Sequence, residues 1–175
     1  MADAPVLETP NLRLLPFADA HLTDTYIGWL GDAEVTRYSE QRHRSHDRAS
    51  CAAFVASFTG TPSMLWAIET RDGRHLGNLH ADVDAANAVA DLAIMLGERD
   101  ARGRGLGLEA WRAVLDHLLG PGRMRKVTAG CMAVNAPMLA LMEKSGMTVE
   151  GRLTRQFLWR GREVDLVKAC KFRHG

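Results

Sequence analysis

Several features that would assign this 175-residue sequence to a special class are missing. Cysteine is scarce: Cys51, Cys131 and Cys170 are odd in number, far apart and form no C-x-x-C pair. That spacing argues against a disulfide framework and a zinc ribbon, and fits reduced thiols. No apolar run is long enough to span a bilayer, so no membrane partner is expected. The start, Met1-Ala2-Asp3-Ala4-Pro5, lacks the basic segment and apolar stretch of a signal peptide, and the expected location is the cytoplasm. Charge of one sign is missing too. With 22 Lys and Arg against 21 Asp and Glu, the net charge is +1, and no global field attracts nucleic acid. His43 and His46 lack a third ligand, so no metal site is expected.

Hydrophobic residues make up 46% of the chain and charged residues 25%, an ordinary composition for a packed domain. The length suits one domain spanning residues 1–175, and no repeat, low-complexity segment or linker divides it. Leu12–Leu15 reads as a short strand between prolines. Leu22, Tyr26, Trp29 and Leu30 fall at helical spacing within His21–Leu30, which Gly31-Asp32 closes. Asp47 is an N-cap signal for a second helix with Cys51, Phe54, Val55 and Phe58 on its apolar side. The middle of the chain alternates as strands do. Met64–Glu69, His75–Asp82 and Val89–Leu96 form an antiparallel meander with turns at Arg71–Arg74 and Asp84–Asn87. The third of these is the most apolar and is expected to be central.

A loop over Glu98–Arg104 then leads into a strongly amphipathic helix carrying Leu108, Trp111, Leu115, Leu118 and Leu119, stopped by Gly120-Pro121-Gly122. A strand at Lys126–Cys131, a short helix after Asn135, and strands at Met147–Phe157 and Glu163–Phe172 complete the chain. The fold class is α/β of the α+β type: a mixed, mostly antiparallel central sheet flanked by about four helices. Trp66, Trp111 and Phe54 occupy core-facing positions of the pattern.

Gly103, Gly105 and Gly107 lie between the apolar strand and the first turn of the long helix. Glycines let backbone N–H groups converge, and the first N–H groups of a helix have no internal partner. With the positive end of the helix dipole they form a site for phosphate oxygens. Arg99, Arg102 and Arg104 supply cations beside it. The spacing G-x-G-x-G is neither the G-x-x-x-x-G-K-[ST] loop nor the dinucleotide fingerprint G-x-G-x-x-G.

Arg102-Gly103-Arg104-Gly105-Leu106-Gly107 resembles the R/Q-x-x-G-x-G/A pyrophosphate signature of the GNAT (Gcn5-related) N-acetyltransferases. Asn135-Ala136-Pro137-Met138 and Glu143-Lys144-Ser145-Gly146-Met147 resemble that family's second cofactor segment, and the order of elements follows the family over nearly the whole chain. Leu12-Arg13-Leu14 and Gly107-Leu108-Glu109-Ala110 are similar to the RimJ/RimL branch, which includes acetyltransferases of nucleotide-linked amino sugars. The resemblance implies a GNAT fold and acetyl-CoA as co-substrate. It places the pyrophosphate on residues 102–107, the pantetheine along Met95, Leu96 and Gly97, and a further cofactor contact at Asn135. This last geometry requires the Val89–Leu96 and Lys126–Cys131 strands to splay apart.

The implied reaction is direct attack of a primary amine on the thioester, with a base removing a proton. Asp91 and His80 are the candidates for that base, with Glu98 a weaker third. The family's usual acid is a tyrosine in the helix after the asparagine. Here Met142 holds that position, and Tyr26 and Tyr38, the only tyrosines, lie early in the chain. Cys131 has no histidine pattern to activate it, so covalent catalysis is not expected. The basic segment Arg37–His46 falls where this family lines its acceptor side and suits a phosphate- or carboxylate-bearing acceptor. The resemblance therefore implies a small-molecule amine, such as an amino sugar on a nucleotide. A protein N-terminal amine and a non-catalytic acyl-CoA sensor are the alternatives. Exposed C-terminal strands leave room for a homodimer.

Overall fold

A computed structural model describes residues 4–173. The strands are β1 (Leu7–Glu8), β2 (Leu12–Pro16), β3 (Met64–Thr70), β4 (His75–Asp84), β5 (Val89–Leu96), β6 (Lys126–Met132), β7 (Thr148–Trp159) and β8 (Arg162–Phe172). The helices are α1 (Asp24–Gly31), α2 (Ala33–Thr36), α3 (Arg48–Ala56), α4 (Leu106–Leu119) and α5 (Ala136–Lys144). All eight strands form one sheet in the order β1-β2-β3-β4-β5-β6-β8-β7. Neighbours are antiparallel except β5 and β6, which run parallel with α4 as their connection. The mixed, mostly antiparallel sheet expected from the sequence is present, with β5 in its interior. No helix among the described residues is long and apolar enough to cross a membrane.

Alternation along the strands divides the core in two. One face carries Leu12, Leu14, Trp66, Ile68, Leu79, Leu92 and Val127 and packs against α4 and α5. Trp111, Val114, Leu115 and Leu118 of α4 are fully buried there. Each contributes about 1.5–3 kcal/mol on burial, so this contact dominates the fold. The opposite face carries Leu65 and Ala67 and is covered over β2–β5 by Phe17, Tyr26, Trp29 and Cys51. Beyond that cover, towards β6 and β8, it stays partly open.

The structure departs from the sequence expectation in a few places. Helix α1 begins at Asp24, where the Thr23 hydroxyl accepts the Tyr26 N–H. His21 lies before it in a 3-10 turn, buried, with Nε2 against Glu69. Asp32 both ends α1 and caps an additional four-residue helix, α2, making five helices where about four were expected. The two-residue β1 is too short to leave a periodic signal. Phe54 is 38% exposed and is not a core residue, although Trp66 and Trp111 are fully enclosed.

Candidate active site

The centre of the sheet is open on one side of β5. Strands β5 and β6 are in register only across Val89–Asp91 and Lys126–Thr128. The Thr128 hydroxyl donates to Asp91 Oδ2 at 2.6 Å on the last rung. Past it, β6 continues beside β8 alone and β5 beside β4 alone. The edge of β5 from Leu92 to Leu96 therefore has no strand partner on the β6 side. The splay that the family resemblance demands is present.

The glycine loop stands at the wide end of this opening. Gly103 and Gly105 have φ of 72° and 80°, a region that favours glycine, and Gly105 is the N-cap of α4 with no side-chain cap. A Cβ at either would meet nothing within 4 Å. At Gly107 a Cβ would lie 3.0 Å from Leu96 Cδ1, so this glycine sets how closely α4 approaches β5. Among the described residues, no N–H from Gly103 to Leu108 donates to a protein acceptor. Uncapped amides at the positive end of a 14-residue helix have the chemistry to accept an anion.

The three arginines have different partners in the structure. Arg99 is paired with Asp32 at 2.9 Å and ties the loop to α2. Arg102 turns back and donates to the carbonyls of Leu96 at 3.1 Å and Gly97 at 3.4 Å, fastening the end of β5. Arg104 is exposed beside the helix start and, of the three, is the one without a side-chain partner among the described residues. Asn135 caps α5, its Oδ1 accepting the Met138 N–H at 3.2 Å.

Asp91 and His80 lie on the sheet face opposite α4, on adjacent strands. Asp91 stands opposite Asp82, and His80 stands opposite Ala93. Asp91 Oδ2 is held by Thr128 and, at 3.4 Å, by Lys168. His80 is partly buried with its ring edge-on to Phe54 and Phe58 at 6.0 and 6.2 Å. Burial lowers its pKa below the usual histidine value, against the opposing pull of the Asp82 and Asp91 carboxylates. A neutral imidazole at neutral pH can accept a proton. Glu98 is engaged by Trp29 Nε1 and by Arg74.

Other candidates lose their chemistry. Met142 is buried among the α4 and α5 core residues. Tyr26 is enclosed, and burial pushes its hydroxyl up to about 12. Burial likewise pushes the Cys131 thiol up to about 11, so it is no thiolate nucleophile. The Arg37–His46 segment docks on the tip of the β7–β8 hairpin: Trp159 Nε1 donates to the Arg37 carbonyl at 2.9 Å and its ring stacks on Tyr38.

Sequence reasoning missed Asn78, Thr128 and Lys168. Asn78 lies two residues before His80 on the same strand, so strand alternation alone was enough to place it on the same face. Lys168 and Thr128 reach Asp91 from distant strands, and nothing local in the sequence announces them.

Comparisons with known proteins agree with this geometry. The acetyltransferase (GNAT) domain profile matches residues 11–148. The fold is similar to RimL, a ribosomal L7/L12 alpha-N-protein acetyltransferase in complex with coenzyme A, at 14% identity and TM-score 0.84 over 96% of this chain and 98% of that one. It is similar to spermidine N-acetyltransferase from Vibrio cholerae, in complex with CoA and spermine, at 15% identity and TM-score 0.84 over 94% and 97%. It also resembles the ribosomal-protein-S5-alanine acetyltransferase from Vibrio fischeri, at 10% identity and TM-score 0.82 over 97% of each. A search of curated proteins finds no match. The profile spans well over half of the chain, and the chain belongs to the GNAT family of N-acetyltransferases.

Proposed function

We propose that this protein transfers the acetyl group of acetyl-CoA to a primary amine of a small molecule, an amino sugar on a nucleotide being a fitting example. The observation that carries this reading is the parting of β5 from β6 directly in front of an uncapped, glycine-lined helix start. The free amides of residues 103–108 suit the pyrophosphate, with Arg104 adding charge. The open edge around Met95, Leu96 and Gly97 suits the amides of the pantetheine arm, which would add as a strand does. Acetyl-CoA supplies the thioester that the amine attacks. A backbone N–H near Met95 or Leu96 polarises its carbonyl.

His80 takes the amine proton, directly or through one water. Its neutral state at pH 7 supports that role better than the state of Asp91, whose Oδ2 is already engaged by Thr128 and Lys168. Asp91 then orients the face that the acceptor approaches. With Met142 in place of the usual tyrosine, the departing thiolate takes its proton from solvent. On the acceptor side, exposed Arg44, Arg160 and Arg162 around the Tyr38–Trp159 stack favour an anionic acceptor.

The likeness to RimL and to the S5-alanine enzyme supports a second acceptor, a protein N-terminal amine. Met142 supports a third reading, an acyl-CoA sensor without turnover. Mass spectrometry of the protein with acetyl-CoA and a panel of amino sugars, nucleotide-linked amino sugars and N-terminal peptides tests these. Acetylated amino sugar is the expected product. Cofactor binding with no acetylated product across the panel rejects catalysis.

A further inference from the structure

Asn78 is 7% exposed, and its Oδ1 is wholly enclosed without a hydrogen-bond partner. A buried amide oxygen left unpaired costs about 1–3 kcal/mol, so folded chains rarely keep one without a use for it. Its position supplies the use. Asn78 lies opposite Met95 of β5, on the sheet face that carries His80 two residues further along. Met95 borders the unpaired edge where the thioester is proposed to lie. Ala93, a small side chain, stands opposite His80 next to that edge. We infer that Asn78 receives the acceptor nitrogen through its amide oxygen and selects it as the uncharged free base, so that the substrates are amines of low basicity. This inference rests on the proposed acetyl transfer and narrows its acceptor class.

The charge around Asn78 supports a neutral guest. Four titratable groups of this face and its cover, His75 and His80 on β4, Tyr26 on α1 and Cys51 on α3, are uncharged at pH 7. Burial lowers His75 to about 4 and also lowers His80. Burial raises Tyr26 to about 12 and raises Cys51 above its ordinary value. The charged groups of this face are Glu69, Asp82, Asp91, Glu98 and Lys168, of which Glu69 is taken by His21, and Glu98 by Arg74 and the Trp29 indole. Asp91 is shared with Thr128 and Lys168, and Asp82 is 67% exposed at 3.8 Å from His80. Each partly buried carboxylate of this face already has a partner and is not free to hold an ammonium group, and the ammonium of Lys168 repels one. An amide oxygen accepts an N–H from a free amine without raising its pKa as a carboxylate does.

The consequence is quantitative. An α-amine titrates near 8 and a lysine-type amine near 10.4, so at pH 7.5 the neutral fractions are roughly one in four and one in a thousand. The test compares kcat/KM for a dipeptide amide, acetylated at its α-amine, with that for Nα-acetyl-lysine amide and for spermidine between pH 7 and 9. The α-amine serves as a probe of basicity, whatever the natural acceptor. The inference expects the α-amine to lead by about 100-fold at pH 7.5, and kcat/KM for the two basic amines to climb about tenfold per pH unit. Asn78→Asp is expected to narrow the preference at least about tenfold by accommodating the ammonium form. Asn78→Ala, without new charge, is expected to raise KM for the α-amine with acetyl-CoA affinity and melting temperature retained.

A flat pH profile for the basic amines, or a preference for spermidine at pH 7.5, overturns the inference while leaving acetyl transfer intact. So does an unchanged acceptor ratio in a folded Asn78→Asp protein. No acetylation of any amine by a protein that binds acetyl-CoA overturns the proposed function itself, and the inference with it.

Discussion

Trp29 lies against Gly97 so closely that a Cβ added at Gly97 would overlap its indole ring. This contact joins α1, on the proposed acceptor side, to the end of β5, where the cofactor arm is proposed to lie. The indole N–H extends the joint by donating to Glu98, which in turn holds Arg74. Gly97→Ala is therefore expected to displace Trp29 and cost about 1–3 kcal/mol by overpacking. Urea denaturation measures that loss. A stability equal to that of the parent protein would mean that the helix shifts freely on the strand.

The anion site is tested at Gly105. Gly105→Glu adds bulk, a side chain at φ 80°, and negative charge beside the uncapped amides. The affinity for acetyl-CoA is expected to fall by at least about tenfold, equivalent to about 1.4 kcal/mol. Gly105→Asn tolerates the left-handed conformation better and should weaken binding less. Calorimetry with coenzyme A measures both, and equal affinities across the three proteins would displace the pyrophosphate from this turn.

His80 and Asp91 separate by pH. Because burial lowers the His80 pKa, turnover should be retained above pH 6.5 and fall only once pH drops below that ordinary value. His80→Gln should lower kcat by about 10²–10⁴ and abolish that acid limb. Asp91→Asn should lower kcat by only about tenfold and keep the limb. The opposite pattern makes Asp91 the base.

His75 is expected to make the fold sensitive to acid. Its pKa is lowered to about 4 by burial and by the nearby His21, and its Nδ1 has no partner. The unfolded chain, with an ordinary histidine near 6.5, binds the proton more readily. Stability is thus fully present above pH 6.5 and lost progressively as pH falls towards 4. His75→Phe, which keeps a ring in the aromatic cluster, should reduce the difference between urea midpoints at pH 7 and pH 5. An unchanged difference assigns the acid sensitivity to other groups.

Trp159 holds the basic loop by its bond to the Arg37 carbonyl and its stack on Tyr38. Trp159→Ala should raise KM for the acceptor severalfold, with acetyl-CoA affinity unchanged. Steady-state kinetics with each substrate varied in turn separates the two effects. A change confined to the cofactor would move this hairpin away from the acceptor side.

The sequence exposed what is periodic or local. The α4 pattern, the Asp47 cap and the glycine loop follow from nearest neighbours along the chain, and their placement holds in the structure. The parting of β5 from β6 was implied by family resemblance and not by any residue in either strand, since it depends on where two distant segments stop pairing. Arg102 shows the limit from the other side. A cation beside a phosphate loop invites one reading, and nothing local shows that its Nη2 also fastens the carbonyls of Leu96 and Gly97. Phe54 fell on the apolar stripe of α3, but that stripe is wider than the core beneath it. Asn78 was passed over because its meaning lies in an unmet valence, which appears only when the neighbours are in place.

Only three rungs of strand pairing, between Val89–Asp91 and Lys126–Thr128, join the first five strands to the last three. The remainder of that seam depends on α4, which lies across it like a splint. A guest that threads the gap and bonds to both banks would act as a ninth, removable strand. The protein would then stiffen each time it loads and slacken each time it empties, and loading should show as slower amide exchange on both sides of the seam at once.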